Sequence, residues 1–144
     1  MSIYGRSDMR EKSTPQTKRH VEAKVGRAAF QAFLNICNKW DLTRAQQLIL
    51  LGEVPTSTYH LWKGNVEKEQ EFKLTKDTLE RISYLLGIYK ALHILLPNAD
   101  AANNWIKRPN SAPLFNSKSA LDKMLAGNVV DLADVRRYLD AERG

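Results

Sequence analysis

The sequence predicts an all-α protein. Apolar residues recur at three- and four-residue spacing from His20 to near the C-terminus, the signature of helices buried along one side. Capping residues and breakers divide these stretches into helix-sized pieces, among them Thr43, Gly52, Thr75, Pro97, Pro109 and Gly127. No segment shows convincing strand alternation, and no fixed-period repeat or low-complexity tract is present.

The elements follow in order. Residues 1–18 are polar, lack apolar periodicity and contain Ser13, Thr14 and Pro15, so they read as a flexible basic arm. That arm is either a solvated tail or a strand of charge lying on phosphate. A helix is expected from His20 to Trp40, with Val21, Val25, Ala29, Phe33, Ile36 and Trp40 as its apolar stripe. Thr43 is a good N-cap for a short helix over 44–51, closed by Gly52. Pro55 and Thr56 open another, running to about Lys63 before Gly64-Asn65. The charged stretch 66–74 is expected to be a loop. Thr75 caps a long helix over 76–96, stopped by Pro97. Asn98 begins a helix ending near Lys107. Residues 109–118 form a loop in which Leu114 and Phe115 both need somewhere to pack. Ser119 to Ala126 is a short helix, and Asp131 is expected to cap the last one.

The 144 residues suit one domain of ordinary size or one with a small appendage. A hydrophobic fraction of 43% with 26% charged residues excludes wholesale disorder. The lone Cys37 cannot form an internal disulfide, and with three histidines a structural zinc site is not expected. Set among apolar helix neighbours, Cys37 reads as a buried, inert thiol. No apolar run reaches the ~18 residues of a membrane helix, and the first residues lack the apolar core of a secretory signal. A cytoplasmic protein without membrane contact is therefore expected. The net charge of +6 permits a nucleic-acid partner without demanding one. Most of the excess is N-terminal: residues 1–40 hold eight Lys/Arg against three Asp/Glu.

Two short helices joined by a glycine-containing turn form the core of a DNA-reading helix-turn-helix, and residues 43–65 have that layout. Leu48 and Leu51 supply the packing side of the first helix, and Gly52 permits the positive φ of the turn. On the second helix Tyr59 and Trp62, three apart, face inward. Thr56, Ser57, Thr58, His60 and Lys63 are left near or on the outer face, joined by Arg44 as candidate DNA-binding residues. The footprint is weak, since only Arg44 and Lys63 stand against Glu53. A plain helical hairpin, with Tyr59 and Trp62 serving only packing, is the competing reading.

The long helix is apolar on two sides. Leu79, Ile82, Leu86, Tyr89, His93 and Leu96 make one row; Tyr84, Ile88, Ala91 and Leu95 make another. Such a helix is central to the core or shared with a second subunit, which makes Tyr84, Ile88 and Leu95 candidate dimer-interface residues. The last helix carries Leu132, Val135, Tyr138 and Leu139 on one face. No catalytic constellation, phosphate loop or cofactor motif is present, so no cofactor is expected and a binding protein is favoured over an enzyme.

The order of these motifs resembles the MbcA/ParS/Xre antitoxin family over residues 20–144. The resemblance is carried by Leu50-Leu51-Gly52, by residues 57–65 and 78–97, and above all by residues 104–144. There Trp105, Pro109-Asn110, Phe115, Ser119-Ala120-Leu121, Met124-Leu125, Gly127 and the run Val135 to Leu139 follow the family's order. Similar sequences often have glycine after the Phe-Asn pair; this chain has Ser117. The resemblance implies an Xre-like helix-turn-helix domain over 19–74 and a helical toxin-binding domain over 75–144. It implies a type II antitoxin that dimerises, represses its own operon by binding operator DNA, and blocks a RES-domain toxin that depletes NAD. It also implies that the terminal segment approaches the toxin's active site, making Arg136, Arg137, Tyr138, Leu139, Glu142, Arg143 and Gly144 the candidate toxin-binding residues. A helix-turn-helix regulator with a helical dimerisation domain and no toxin partner is the rival reading, and an enzyme with a helical-bundle site is a third.

Overall fold

The computed structural model describes residues 15–144; the arm expected over 1–18 lies mostly outside them, and Pro15 to Lys18 are helical. Seven α-helices account for most of the described chain: α1 (Pro15–Lys39), α2 (Arg44–Leu50), α3 (Thr56–Glu67), α4 (Lys76–Leu95), α5 (Ala99–Asn104), α6 (Ala120–Met124) and α7 (Val129–Glu142). Two 3-10 turns, Trp105–Lys107 and Pro113–Phe115, punctuate the second half. Among the described residues no strand forms; an isolated bridge pairs Pro109 with Ser119.

One continuous core runs from Phe30 to Leu139. α4 is its spine, packing against α1 on one side and α7 on the other. Ile82, Leu85, Ile88, Ala91 and Leu92 are all buried, which explains why this helix is apolar on two sides. Thr75 caps it through a bond from the Thr78 amide to its Oγ1 at 3.2 Å. Gly87, in mid-helix, leaves room for the Arg136 guanidinium, which would meet any Cβ placed there.

Of the expected stripe, Phe33, Ile36 and Trp40 stay in the core, and α1 departs from it in its first turns. The core-facing residues are Gly26, Phe30, Phe33, Ile36 and Cys37, while Val21 and Val25 are 53% and 47% exposed. The reason is Gly26: the connection after α3 crosses α1 there, and a Cβ would collide with the Phe72 carbonyl. The Phe72 amide donates to the Ala23 carbonyl at 3.2 Å and pins that crossing. Phe30 then sits among Phe33, Tyr59, Trp62 and Phe72, with ring centroids 5.4–6.1 Å away.

Other boundaries moved for local reasons. α3 continues through Gly64 to Glu67 because Val66 packs partly against the core, which offsets the ~1 kcal/mol a helical glycine costs. The N-cap of α7 is Asn128, not Asp131; Asp131 lies one turn in, where its carboxylate takes the Lys123 ammonium at 3.1 Å. The helix expected to end near Lys107 tightens into a 3-10 turn after Asn104. In the 109–118 loop only Phe115 is buried, and Leu114 stays 36% exposed. Ser119 caps α6 with a reciprocal bond to Asp122, and the helix ends at Met124 before Gly127 at φ 94°.

Candidate DNA-reading and toxin-binding surfaces

The helix-turn-helix forms as a sequence of local choices. Thr43 and Gln46 make a capping box: the Gln46 amide donates to Thr43 Oγ1 at 3.1 Å and the Thr43 amide to Gln46 Oε1 at 2.9 Å. Gly52 takes φ 97°, and Glu53 follows it at φ 60°, turning the chain into α3. The Glu53 amide donates to the Leu48 carbonyl at 2.7 Å, which closes the corner. Tyr59 and Trp62 are both buried. The Tyr59 hydroxyl donates to Gln47 Oε1 at 2.7 Å, and Gln47 Nε2 donates to the Leu42 carbonyl at 3.1 Å. This chain locks the angle between α2 and α3. Burial pushes the Tyr59 phenol up from its ordinary value; Cys37 adds to the rise and Arg44 opposes it.

With Tyr59 and Trp62 turned inward, Thr56, Ser57, His60 and Lys63 are exposed and Thr58 is half-buried. Arg44 is exposed at the start of α2. These are hydrogen-bonding and cationic groups on one side of a rigid support, the arrangement a major-groove reader requires. A shallow depression of about 240 Å³ lies beside them, lined by Asn38, Asp41, Gln47, Tyr59 and Lys63. Cys37 is buried, and desolvation lifts its thiol far above its ordinary value, so it is protonated and unreactive.

The second half is built around an aromatic cluster. Tyr138 stacks on Trp105 with centroids 6.4 Å apart and meets the Phe115 edge at 5.1 Å; Trp105 and Phe115 meet edge-on at 5.8 Å. Next to it a pocket of about 220 Å³ is lined by Leu92, Leu95, Leu96, Trp105, Tyr138 and Glu142, with Leu139 at its base. Leu95, Tyr138, Leu139 and Glu142 are candidates from the sequence, but the pocket itself is not, because its walls come from three separate segments of the second half. The spacing of Trp105 and Phe115 offered no signal that they meet Tyr138.

The terminal candidates differ in burial and pairing, with Tyr138 half-buried in the aromatic cluster. Leu139 is 2% exposed and belongs to the core, so it is no anchor for a partner. Arg136, Arg137 and Arg143 are engaged within α7, with Asp140 at 3.6 Å, Asp134 at 3.0 Å and Asp140 at 3.6 Å respectively. Glu142, Arg143 and Gly144 are exposed at the end of the chain. Ile88, expected at a subunit interface, is 0% exposed and lies within the chain's own core; it has no surface left for a partner. Tyr84 and Leu95 are half-buried. Surplus apolar surface lies instead along α1 and α4, in a groove of about 460 Å³ that includes Val25, Ala29, Leu79 and Leu86.

The two halves match two family descriptions. Residues 19–87 match the antitoxin Xre-like helix-turn-helix domain, and residues 91–144 match the antitoxin Xre/MbcA/ParS C-terminal toxin-binding domain. The chain belongs to the Xre/MbcA/ParS antitoxin family. It is a type II antitoxin whose partners are DNA, through the helix-turn-helix, and a toxin protein, through the C-terminal half. An uncharacterized protein, y4oB, of Sinorhizobium fredii is 44% identical to the antitoxin over 117 residues, which is 81% of this chain and 85% of that one. The match over 91–144 decides between the two readings of the second half, since a regulator without a toxin would not need that domain. In the antitoxin the two matched regions meet inside α4, the spine helix that packs against both α1 and α7. Among the described residues no helix is long and apolar enough to cross a membrane, and no group of three His, Cys, Asp or Glu is placed to hold a metal ion.

Proposed function

We propose that this antitoxin neutralises a RES-domain toxin that depletes NAD, and that residues 140–144 are the inhibitory element. The observation that carries this reading is the state of the C-terminus: the chain is held in the core as far as Leu139, and every residue after it is exposed. A short exposed end on a rigid helix reaches into a cleft without disturbing the fold. Glu142 and the Arg143–Asp140 pair carry charges that suit a site built for a phosphate-bearing dinucleotide and its counter-charges. The toxin class follows from the resemblance of residues 104–144 to antitoxins of RES-domain toxins. The antitoxin acts by binding, in the cytoplasm, and needs no cofactor for it.

The same chain represses its own operon through Arg44, Thr56, Ser57, Thr58, His60 and Lys63. A homodimer presents two such helices to two half-sites, which multiplies a modest single-helix affinity. The exposed Val21 and Val25 beside the apolar groove of α1 and α4 are the surface proposed for that dimer. Val25→Glu should shift wild-type dimer to monomer in sedimentation while leaving the melting temperature within a few degrees; a wild-type monomer at tens of micromolar rejects the dimer. The toxin reading is tested by co-expression with the product of the neighbouring reading frame. NAD should collapse with that product alone and recover when the antitoxin is present. An unchanged NAD pool with the neighbour alone contradicts it.

A further inference from the structure

We infer that Lys107, in the toxin-binding half, supplies a phosphate contact to DNA held by the helix-turn-helix. The inference rests on the reading of α2 and α3 as the DNA-reading unit. Lys107 lies in the 3-10 turn after α5, within the region matched to the toxin-binding domain. Its Nζ donates to the Asp41 backbone carbonyl at 3.1 Å, across 66 residues of sequence. Asp41 stands in the turn between α1 and α2 at φ 52° and lines the same depression as Lys63. Arg44 follows three residues later, close enough to Tyr59 to act on its phenol. Three cations drawn from residues 44, 63 and 107 therefore surround one edge of the helix-turn-helix.

Two features make this a contact surface rather than an internal staple. First, the partner of Lys107 is a neutral carbonyl. An ammonium has three N–H groups, so two remain for an outside acceptor, and its charge is not cancelled. Second, among the described residues no ion pair neutralises Arg44, Lys63 or Lys107, whereas Lys123, Arg136, Arg137 and Arg143 are each paired with aspartate. The Asp41 carboxylate belongs to the same edge, and it leaves the group with a positive excess. The helix-turn-helix segment alone offers only Arg44 and Lys63 against Glu53. Lys107 raises the number of cations there from two to three. Because each neutralised phosphate releases counterions, the added contact should appear in the salt dependence of binding and not in sequence choice.

The test measures binding of the full chain to a duplex of the promoter region upstream of its own reading frame, and to a random-sequence duplex of equal length, across a salt series. Lys107→Gln and Lys107→Met are compared with Lys107→Arg, Lys63→Ala and, as a charge control outside the helix-turn-helix and the groove, Lys118→Gln. For the first two, the slope of log K against log salt should flatten by about 0.9 on both duplexes, with the preference between duplexes unchanged. Lys107→Arg and Lys118→Gln should keep the wild-type slope. If Lys63→Ala flattens the slope and the Lys107 variants do not, the inference fails while the helix-turn-helix reading stands. If the wild type does not prefer the promoter duplex at all, both fail.

Discussion

α3 and α7 are both amphipathic helices with a buried aromatic-and-aliphatic side and a polar side, yet their polar sides are in opposite states. On α3, Thr56, Ser57, His60 and Lys63 face solvent, and among the described residues no ion pair holds Lys63. On α7, Arg136, Arg137 and Arg143 are matched by Asp134 and Asp140 one turn away. The free side is available for an outside partner, whereas the matched side is already satisfied by the helix itself. Exposed pairs of this kind contribute little stability, but they lower the charge that α7 offers to anything else. A count of arginines would have ranked α7 above α3 as a charged surface. The pairing reverses that order, and what distinguishes the last residues of α7 is exposure, not unpaired charge.

The largest effect expected comes from α4, the spine on which α7 packs. Ile88→Glu would bury an unpaired carboxylate in the shared spine and should cost several kcal/mol, enough to unfold the chain. Circular dichroism should show loss of helix, whereas a folded monomer would mean that Ile88 faces a subunit instead. Next come the neighbours Trp62 and Lys63 on α3. Trp62→Ala should cost about 3–5 kcal/mol, because it empties the cluster around Phe30. Lys63→Ala should change stability by less than about 0.5 kcal/mol and instead flatten the salt slope of DNA binding by about one unit. Equal melting temperatures for the two variants would break the inside-outside assignment of α3. The smallest effect lies in the loop that supports Tyr138. Asn116 and Ser117 have φ of 50° and 66°, so Ser117 occupies a conformation that glycine adopts without strain. Ser117→Gly should raise stability by about 1 kcal/mol, read as a melting-temperature rise of a few degrees. A fall would show that the serine side chain holds the turn.

These contrasts also explain what could be read from residues alone. The helix-turn-helix was legible because its signals are local: Thr43 at the cap, Gly52 in the turn, and Tyr59 and Trp62 three apart. The capping box was legible too, since Gln46 lies three residues after Thr43, although it went unread. The second half of the α1 stripe, Phe33, Ile36 and Trp40, was legible; its first turns were not, because a core position there is Gly26, which carries no hydrophobic signal, while Val21 and Val25 complete a better-looking stripe. The two rows of α4 correctly indicated a helix covered on several sides, but spacing cannot say whether a second chain or α7 does the covering. Leu139 read as an anchor because burial within one chain and burial between chains select the same side chains. The pocket beside Trp105 and the Lys107 bond to Asp41 join segments far apart in sequence, so no local pattern announces them.

The division of α7 at Leu139 is the most exposed part of the account, and truncation tests it directly. A chain ending at Leu139 keeps Leu132, Val135 and Leu139 in the core and loses only exposed residues. It should fold, with a melting temperature within a few degrees of the full chain. Co-expressed with the toxin at equal abundance, it should still co-purify with the toxin, yet NAD should fall and growth should stop. Full protection of growth and NAD by the truncated chain would contradict the account and move inhibition to the body of the domain.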